Sequence, residues 1–459
     1  MAERKVRNIV VGGEAGQGLV TVGSLLARAL VRAGYRICVT QSYMSRIRGG
    51  HNTFAIRAGV EEVAAPQEAV DLLVALDAQT ISLHSGELSP GAVVVADSAH
   101  ASGCPGCLKV PLKELTQRRY ENVAALGVAA RLLGLRREVV ESVLSTAFGK
   151  KGDEVMAENL KALDKAYEWA EAQKNGSQAL PPPVSAGRSL MMNGNDAIAL
   201  GAMSAGLKFC SFYPMTPATS INLALAANAA KMGIVVEQAE DEIAAINMAV
   251  GASYAGAPSM VATSGGGFAL MVEGVSLAAM IETPIVVVVS QRPGPATGLP
   301  TRTEQADLDF VLHSGHGEFP RALFAPGSVE SCFHLTRRAF ELAEKYQGPI
   351  FLLTDQFLAD SDRAVSPFDV EGLAPVAAGC AASNAASPYR RFALTESGVS
   401  PRLLPGMGRE LVVADSDEHT EDGRLTEDLR VRKLMVEKRL KKMEGLMACA
   451  LAPSYRGDE

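Results

Sequence analysis

The sequence predicts an α/β protein built as two successive doubly wound domains, with an irregular and helical C-terminal extension. Three observations predict it. Short apolar runs alternate with stretches of helical periodicity through most of the 459 residues. Glycine-rich turns stand between run and helix, at "GGEAGQG" (12–18) and "SGGG" (264–267). A proline triplet within "KNGSQALPPPVSAG" (174–187) punctuates the chain. The expected boundaries are a first domain over 1–175, a linker over 176–188, a second domain over 189–360 and an extension over 361–459.

In the first domain, "KVRNIVVG" (5–12) reads as a buried strand, and "LVTVGSLLARALVRAG" (19–34) as a helix ended by Gly34. "RICVTQ" (36–41), "LLVALD" (72–77) and "AVVVAD" (92–97) are further strands. Helical or loop stretches separate them, which predicts a mostly parallel sheet. Residues 121–175 read as helical.

The second domain repeats the alternation. A helix at 195–206 leads to the strand "KFCSFY" (208–213), the loop "PMTPAT" (214–219), a helix and the strand "GIVVEQ" (233–238). "SMVATS" (259–264) and "TPIVVVVSQ" (283–291) are strands flanking the helix "FALMVEGVSLAAM" (268–280), and "PIFLLTD" (349–355) closes the pattern. Such a sheet places its site at the carboxyl ends of its strands. Beyond about residue 360 the alternation fades. "DLRVRKLMVEKRLKKMEGLMACAL" (428–451) reads as a basic amphipathic helix, a solvated charged face over one apolar stripe.

A formal net charge of -7 argues against nucleic acid as a partner. Every long apolar run is broken by charge, Gly or Pro, so no membrane span is expected. The leading residues lack the apolar core of a signal peptide, and the expected location is cytoplasmic. Seven scattered cysteines fit reduced thiols. "CPGC" (Cys104, Cys107) has ligand spacing but no second pair, which leaves a shared half-site, a redox pair or, most plainly, a loop carrying two thiols.

Five stretches carry candidate chemistry. Gly13, Gly16 and Gly18 lie between a strand and a helix, where free backbone N–H groups suit an anion or a bare tight turn. The spacing is neither a Walker loop nor a dinucleotide fingerprint. Arg46 and Arg48 precede Gly49 and Gly50, a setting for a phosphate or carboxylate, or a surface turn. In "FYPMTPATS" (212–220), Pro214 and Pro217 present Thr216, while Thr219 or Ser220 is expected to cap the next helix. In "SQRPGPATGLPTRTEQADL" (290–308), Arg292 falls at a strand's carboxyl end, with Thr301, Arg302 and Glu304 in the same loop, a substrate clamp or an ordinary long loop. Finally, Glu237, Glu240, Asp241 and Glu242 crowd the start of an apolar helix. Carboxylates there complement the helix dipole, and one facing an apolar wall is a common catalytic acid.

Taken together, these stretches resemble the 2-oxoacid:ferredoxin (2-oxoacid:acceptor) oxidoreductases, in the form with the γ domain fused ahead of the α subunit. The resemblance covers about residues 5–445. "YPMTP" resembles that family's Tyr-Pro-Ile-Thr-Pro motif, and "QAEDEIAAINMAVGASYAG" and "QRPGPATGLPTRTEQADL" its two longest signatures. "GGEAGQG" and "RIRGGHN" look like its γ domain. The resemblance implies a pyrimidine-binding domain for thiamine diphosphate, with Glu242 as the carboxyl group on the aminopyrimidine that permits loss of the cofactor's C2 proton. Tyr213 and Pro214 would then belong to the cofactor site, while Thr216, Arg292 and Thr301 would contact the 2-oxoacid. Glu237, Glu240 and Asp241 keep the dipole or solvent reading. Gly13, Gly16, Gly18, Arg46, Arg48 and Gly49 would help receive coenzyme A.

Met215, Gly266, Pro293 and Ala296 depart from the family pattern and put loop shape and substrate preference in question. The family usually continues into another α/β domain after the basic helix, which this sequence does not. A Gly-Asp-Gly…Asn segment is missing, "EDGRL" (421–425) being the nearest string, as is a cysteine quartet. A partner β subunit is therefore expected to carry the diphosphate half, Mg²⁺ and an iron–sulfur cluster, in a heterotetramer that passes electrons to ferredoxin. The implied reaction is oxidative decarboxylation of a 2-oxoacid with coenzyme A to acyl-CoA and CO2. The alternatives are a non-catalytic scaffold or CoA-binding relative and a non-oxidative thiamine lyase, against which the γ-like domain argues.

Overall fold

The computed structural model describes residues 5–44, 49–173, 176–183, 188–376 and 388–452. They divide into two compact units, one reaching Asn193 and including Asp360–Phe368, the other built from the remainder.

The first unit runs β1 (Val6–Glu14), α1 (Leu19–Ala33), β2 (Arg36–Ser42), β3 (His51–Gly59), β4 (Val70–Ala75), α2 (Ala78–His84), β5 (Leu88–Asp97), β6 (Leu108–Val110), α3 (Leu112–Leu115), α4 (Glu121–Leu132), α5 (Arg137–Phe148), α6 (Asp153–Glu171) and β7 (Leu190–Met192). Its sheet has the order β6-β5-β4-β1-β3-β2, followed by a strand at Arg363–Val365 and β7. Gly34, left-handed, ends α1 as expected. The sheet is mixed rather than mostly parallel: β4, β5 and β6 run parallel with β1, but β3 is antiparallel to both β1 and β2. The reason is the connection. Only residues 43–50 join β2 to β3, too few for the crossover that parallel neighbours need. Helices α1, α4, α5 and α6 bury one large core against the sheet, with Leu26, Leu30, Phe54 and Leu163 at its centre.

Part of the expected linker packs on this unit. Gln178 N donates to Leu132 O (2.8 Å), its side-chain Nε2 to Gly91 O (2.8 Å), and Leu180 is buried. Cys104 and Cys107 form a disulfide, with Cα atoms 5.5 Å apart, where free thiols were the plainer expectation. Two intervening residues including Gly106 let the chain turn back far enough to bring the sulfurs together.

The second unit runs α7 (Gly194–Ala205), β8 (Phe209–Phe212), α8 (Thr219–Met232), β9 (Val235–Gln238), α9 (Glu242–Tyr254), β10 (Ser259–Thr263), α10 (Gly265–Met280), β11 (Ile285–Gln291), α11 (Leu308–His313), β12 (Ala322–Phe324), α12 (Val329–Tyr346), β13 (Pro349–Asp355), α13 (Gln356–Asp360) and α14 (Leu429–Ala448), while β14 (Arg363–Val365), between the last two in sequence, belongs to the first unit. Its sheet, β12-β13-β11-β10-β8-β9, is parallel throughout. Chain order reverses between β8 and β10, which makes a crevice at their carboxyl ends. Strands β10, β11 and β13 are buried along their whole length, as apolar runs covered on both faces must be.

Helix α14 corrects the expectation of a solvated basic face. Lys438, Arg439 and Lys442 are buried, while Leu429, Leu434, Leu440 and Met447 are exposed. The cations turn inward because acids wait there. Lys438 Nζ lies 2.6 Å and Lys442 Nζ 2.5 Å from the buried Glu282 carboxylate, and Arg439 forks onto Glu418 at 2.9 and 3.0 Å.

Candidate active site

Four loops meet the carboxyl ends of the second sheet. After β8 comes Tyr213–Pro217, with a cis bond between Thr216 and Pro217. Asn195, fully buried on α7, holds this loop by donating Nδ2 to Pro217 O (2.9 Å) and to Ser220 Oγ (2.7 Å). The cap expected from Thr219 or Ser220 is not made. Ala218 occupies that position without a side-chain bond, and Ser220 is engaged by Asn195 instead.

After β9, Asp241 caps α9, its Oδ1 accepting from Ala244 N at 2.7 Å. Glu242 is the first helical residue and is 3% exposed. Glu237 and Glu240 face solvent. The four crowded carboxylates thus separate into a cap, two solvated acids and one buried acid. Ser211 Oγ donates to Ala245 O (2.6 Å) and pins the first turn of α9 to β8.

After β10, α10 begins with Gly265, Gly266 and Gly267. Each admits a neighbour that a side chain would expel. A Cβ on Gly267 would lie 2.6 Å from Glu242 Oε1 and would also strike Thr263 Oγ1. One on Gly266 would lie 3.2 Å from Ala296 O, and one on Gly265 would strike the Asp307 carboxylate. Two carboxylates therefore approach the same bare helix N-terminus. Among the described residues, Glu242 Oε1, Thr263 Oγ1, Ser264 Oγ and Asp307 Oδ2 are buried without a hydrogen-bond partner. Burial, and then the charge of Glu304, push the Asp307 carboxyl above its ordinary range. Sequence reasoning missed Asn195, Thr263, Ser264 and Asp307. The three successive glycines of the "SGGG" stretch were the signal for the last three.

After β11 comes the long loop. Arg292 is 8% exposed, and its Nη1 donates to Thr216 O at 2.8 Å, so the structure brings these two predicted residues together. Burial lowers its pKa from the usual arginine range. The loop is anchored at its far end, where Asp307 N donates to Gln291 Oε1 (2.9 Å) and Gln305 Nε2 to Asp355 Oδ2 (2.5 Å). Thr301 sits half-buried in the same loop, and no described hydrogen bond links its side chain to Arg292 or Glu242. Tyr213 is 38% exposed and Pro214 is exposed.

An aminopyrimidine ring needs a buried carboxyl group free to share a proton with a ring nitrogen. Glu242 Oε1, desolvated and unpartnered beside Gly267, fits that requirement.

The first unit has its own candidate anion site. Gly13 ends inside β1, while Gly16 (φ 97°) and Gly18 (φ 81°) take conformations that favour glycine. Gly16 borders a cavity of about 820 Å³ that also meets Asp97, His100, Lys113 and Arg118. Gly49 (φ 77°) would place a Cβ 3.8 Å from Glu14 Oε1. Arg46 and Arg48 lie outside the described residues. Nearby, His51 Nε2 and His84 Nε2 stand 2.9 Å apart, and His84 Nδ1 is 2.6 Å from Glu87 Oε2.

Comparison with known proteins shows the family. Residues 200–438 match the family described as pyruvate flavodoxin/ferredoxin oxidoreductase, thiamine diphosphate-binding. Residues 8–169 match the one described as pyruvate ferredoxin/flavodoxin oxidoreductase. The chain is 32% identical to the 2-oxoacid:ferredoxin oxidoreductase subunit alpha of a Sulfolobus species, over 95% of this chain and 78% of that one. It is 27% identical to the 2-oxoglutarate oxidoreductase subunit KorA of Mycobacterium tuberculosis, over 96% and 75%. It superposes with a TM-score of 0.91, at 35% identity and covering 100% of this chain and 82% of the other, on the 2-oxoglutarate:ferredoxin oxidoreductase of Magnetococcus marinus solved with 2-oxoglutarate, coenzyme A and succinyl-CoA bound. The chain belongs to the 2-oxoacid:ferredoxin oxidoreductases, as an α subunit of the multi-subunit enzymes that decarboxylate 2-oxoacids oxidatively with ferredoxin.

Proposed function

We propose that the crevice of the second unit is the pyrimidine half of a thiamine diphosphate site, with Glu242 as its acid–base residue. The carrying observation is the buried Glu242 Oε1 with no partner among the described residues, held against Gly267. Bound there, thiamine diphosphate would supply carbanion chemistry at the 2-oxoacid carbonyl. Glu242 holds and returns a proton at the ring nitrogen. Tyr213 and Pro214 line the cofactor side. Arg292 spends one donor on Thr216 O and keeps its remaining N–H groups for the substrate carboxylate. Thr216 and Thr301 complete the substrate pocket.

Coenzyme A is the second substrate, and the first unit's cavity bordered by Gly16 is its proposed receptor, alongside Gly13, Gly18, Gly49, Arg46 and Arg48. Lys113 and Arg118 at the cavity wall suit its phosphates. Among the described residues, no group of three or more His, Cys, Asp or Glu could hold a metal. Mg²⁺, the diphosphate and the iron–sulfur cluster are assigned to a β subunit because the sequence lacks a Gly-Asp-Gly…Asn segment and a cysteine quartet. The exposed apolar side chains of Tyr213, Ile243, Leu270 and Leu299 around the site support a partner face there. A cytoplasmic heterotetramer delivering electrons to ferredoxin is the assembly proposed.

The test is Glu242→Gln in the assembled complex. Turnover is expected to fall by about 10²–10⁴-fold, with assembly and thiamine diphosphate affinity retained. Glu240→Gln and Asp241→Asn leave turnover within about threefold, because one faces solvent and asparagine still caps. Equal losses in all three variants would make the start of α9 a structural unit and remove the assignment.

A further inference from the structure

The loop Ser98–Cys107 joins β5 to β6 and walls the first unit's cavity through Ala99 and His100, next to Asp97. Its backbone bonds are mostly local: His100 N to Asp97 O (2.8 Å), Cys104 N to Ala101 O (3.2 Å) and Cys107 N to Cys104 O (3.3 Å), with Ser98 N to Val110 O (2.9 Å) at its base. Ala101 and Cys107 are buried, whereas Ser102, Gly103, Pro105 and Gly106 are exposed. The disulfide closes only the ring 104–107, and it bears on the cavity-lining residues through Ala101, which is fully buried and packs in one apolar cluster with Cys104 and Cys107. Its two sulfurs are unequal. Cys107 is buried, but Cys104 is partly exposed, so an incoming thiolate has one reachable target. Of the free cysteines, Cys38, Cys210 and Cys332 are buried, and burial pushes the Cys210 and Cys332 thiols up to about 12, which leaves them inert; Cys449, at the end of α14 in the second unit, is partly exposed and stands 3.4 Å from Tyr346 Oη.

We propose that Cys104–Cys107 is a reversible thiol–disulfide couple that sets the order of the cavity-lining loop, so that the cavity takes its ligand with different affinity in the two redox states. The identity of that ligand as coenzyme A rests on the function proposed above. In reduction, a thiolate of an external dithiol attacks Cys104 Sγ, the S–S bond breaks, and Cys107 leaves as a thiolate and takes a proton. The second thiol of the dithiol then attacks the mixed disulfide and releases Cys104 as a thiol. The protein gains two electrons and two protons, and the dithiol departs as its own disulfide. An external disulfide reverses the sequence.

The full chain is equilibrated in dithiothreitol buffers of graded reduced-to-oxidised ratio, trapped by alkylation and weighed by mass spectrometry. Amide exchange over 98–107 and calorimetric binding of desulfo-coenzyme A, which has no thiol to exchange with the protein, are measured in both states. Cys104 and Cys107 are expected to react together and reversibly. Reduction is expected to speed exchange in the loop by about tenfold or more. It is expected to change the affinity by about threefold or more. Cys104→Ser is expected to match the reduced protein in either buffer. A pair that never re-forms, equal exchange in both states, or equal and measurable affinity in both overturns the proposal. A responding loop with no desulfo-coenzyme A binding in either state supports the couple and removes coenzyme A as the cavity's ligand.

Discussion

Replacing Glu282 with glutamine isolates what holds helix α14 to the rest of the second unit. Glu282 follows α10 and is 1% exposed. Its Oε1 accepts from Lys438 Nζ at 2.6 Å, and its Oε2 lies 2.5 Å from Lys442 Nζ, an ion pair without hydrogen-bond geometry. Its backbone carbonyl accepts from the buried Arg391 (2.6 Å). Burial alone raises a carboxyl pKa, yet Lys442, Lys438 and Arg391 together hold this one down at about 2. The drop from 4.5 corresponds to about 3 kcal/mol at 1.36 kcal/mol per unit. That agrees with the roughly 3–5 kcal/mol lost when one partner of a buried pair is removed. For a unit of this size the melting temperature of Glu282→Gln should fall by about 6–12 °C.

The pH dependence carries the sign. Because the folded pKa of Glu282 is lowered, its contribution is complete above pH 4.5 and is lost as pH falls toward about 2. Lys442 is lowered from 10.5 to about 8, so between those values the unfolded chain binds more protons and this group's share of stability rises with pH. Without Glu282 that lysine loses its counter-charge and deprotonates earlier, so the deficit of the variant should shrink as pH rises above neutrality. Scanning calorimetry of both proteins from pH 6 to about 9 reads this directly. The variant Glu282→Leu with Lys438→Met and Lys442→Met should recover most of the loss, since well-packed apolar groups replace such triads at little cost. A melting shift below about 2 °C, or a deficit independent of pH, would refute the account.

Three further outcomes are expected. Arg292→Lys should raise KM for the 2-oxoacid by about ten- to a hundredfold with little change for coenzyme A, because a point charge replaces a fork; steady-state kinetics with each substrate varied reads the split. Gly267→Ala should abolish turnover while lowering stability by about 1–3 kcal/mol, since its methyl would meet Glu242 Oε1 at 2.6 Å; a retained rate would mean that the carboxylate need not stand there. The purified chain alone should be colourless and unable to reduce a viologen, and an iron–sulfur absorption band would place the cluster here instead.

The second unit was largely legible because its signals are local. Buried parallel strands read as continuous apolar runs, and an acid opening an apolar helix stands out within a few residues. Arg292 was placed by the same logic, at the end of a strand. What escaped depends on distance in sequence or on what lies opposite. The direction of β3 depends on the length of the connection before it, not on its own residues. The inward turn of α14 depends on Glu282, 156 positions from Lys438. Periodicity finds the apolar stripe of such a helix but cannot tell which face meets a buried acid. Asn195 gives no local sign either, since its partners Pro217 and Ser220 lie across a strand and a turn.

The extension and the site are mechanically one arrangement. Helices α9 and α10 carry the proposed site at their N-termini, Glu242 on one and the glycine turn on the other. Their C-terminal ends are held by arginines from the extension: Arg402 Nη2 donates to Ser253 O (2.5 Å), and Arg391 Nη2 to Ile281 O (3.4 Å) and Glu282 O (2.6 Å). Cations at these carbonyls complement both helix dipoles. Arg402 also reaches Glu344 on α12 (3.0 Å), and Tyr254 donates to Val412 O (3.0 Å), so the ends of both helices are fixed against the same scaffold. Sliding either helix along its axis would break these bonds and move Glu242 relative to Gly267, where a few tenths of an ångström decide whether the carboxylate fits. A weakened extension should therefore cost turnover before it costs the fold. Arg402→Met tests that order, with a loss of activity at temperatures below the onset of melting.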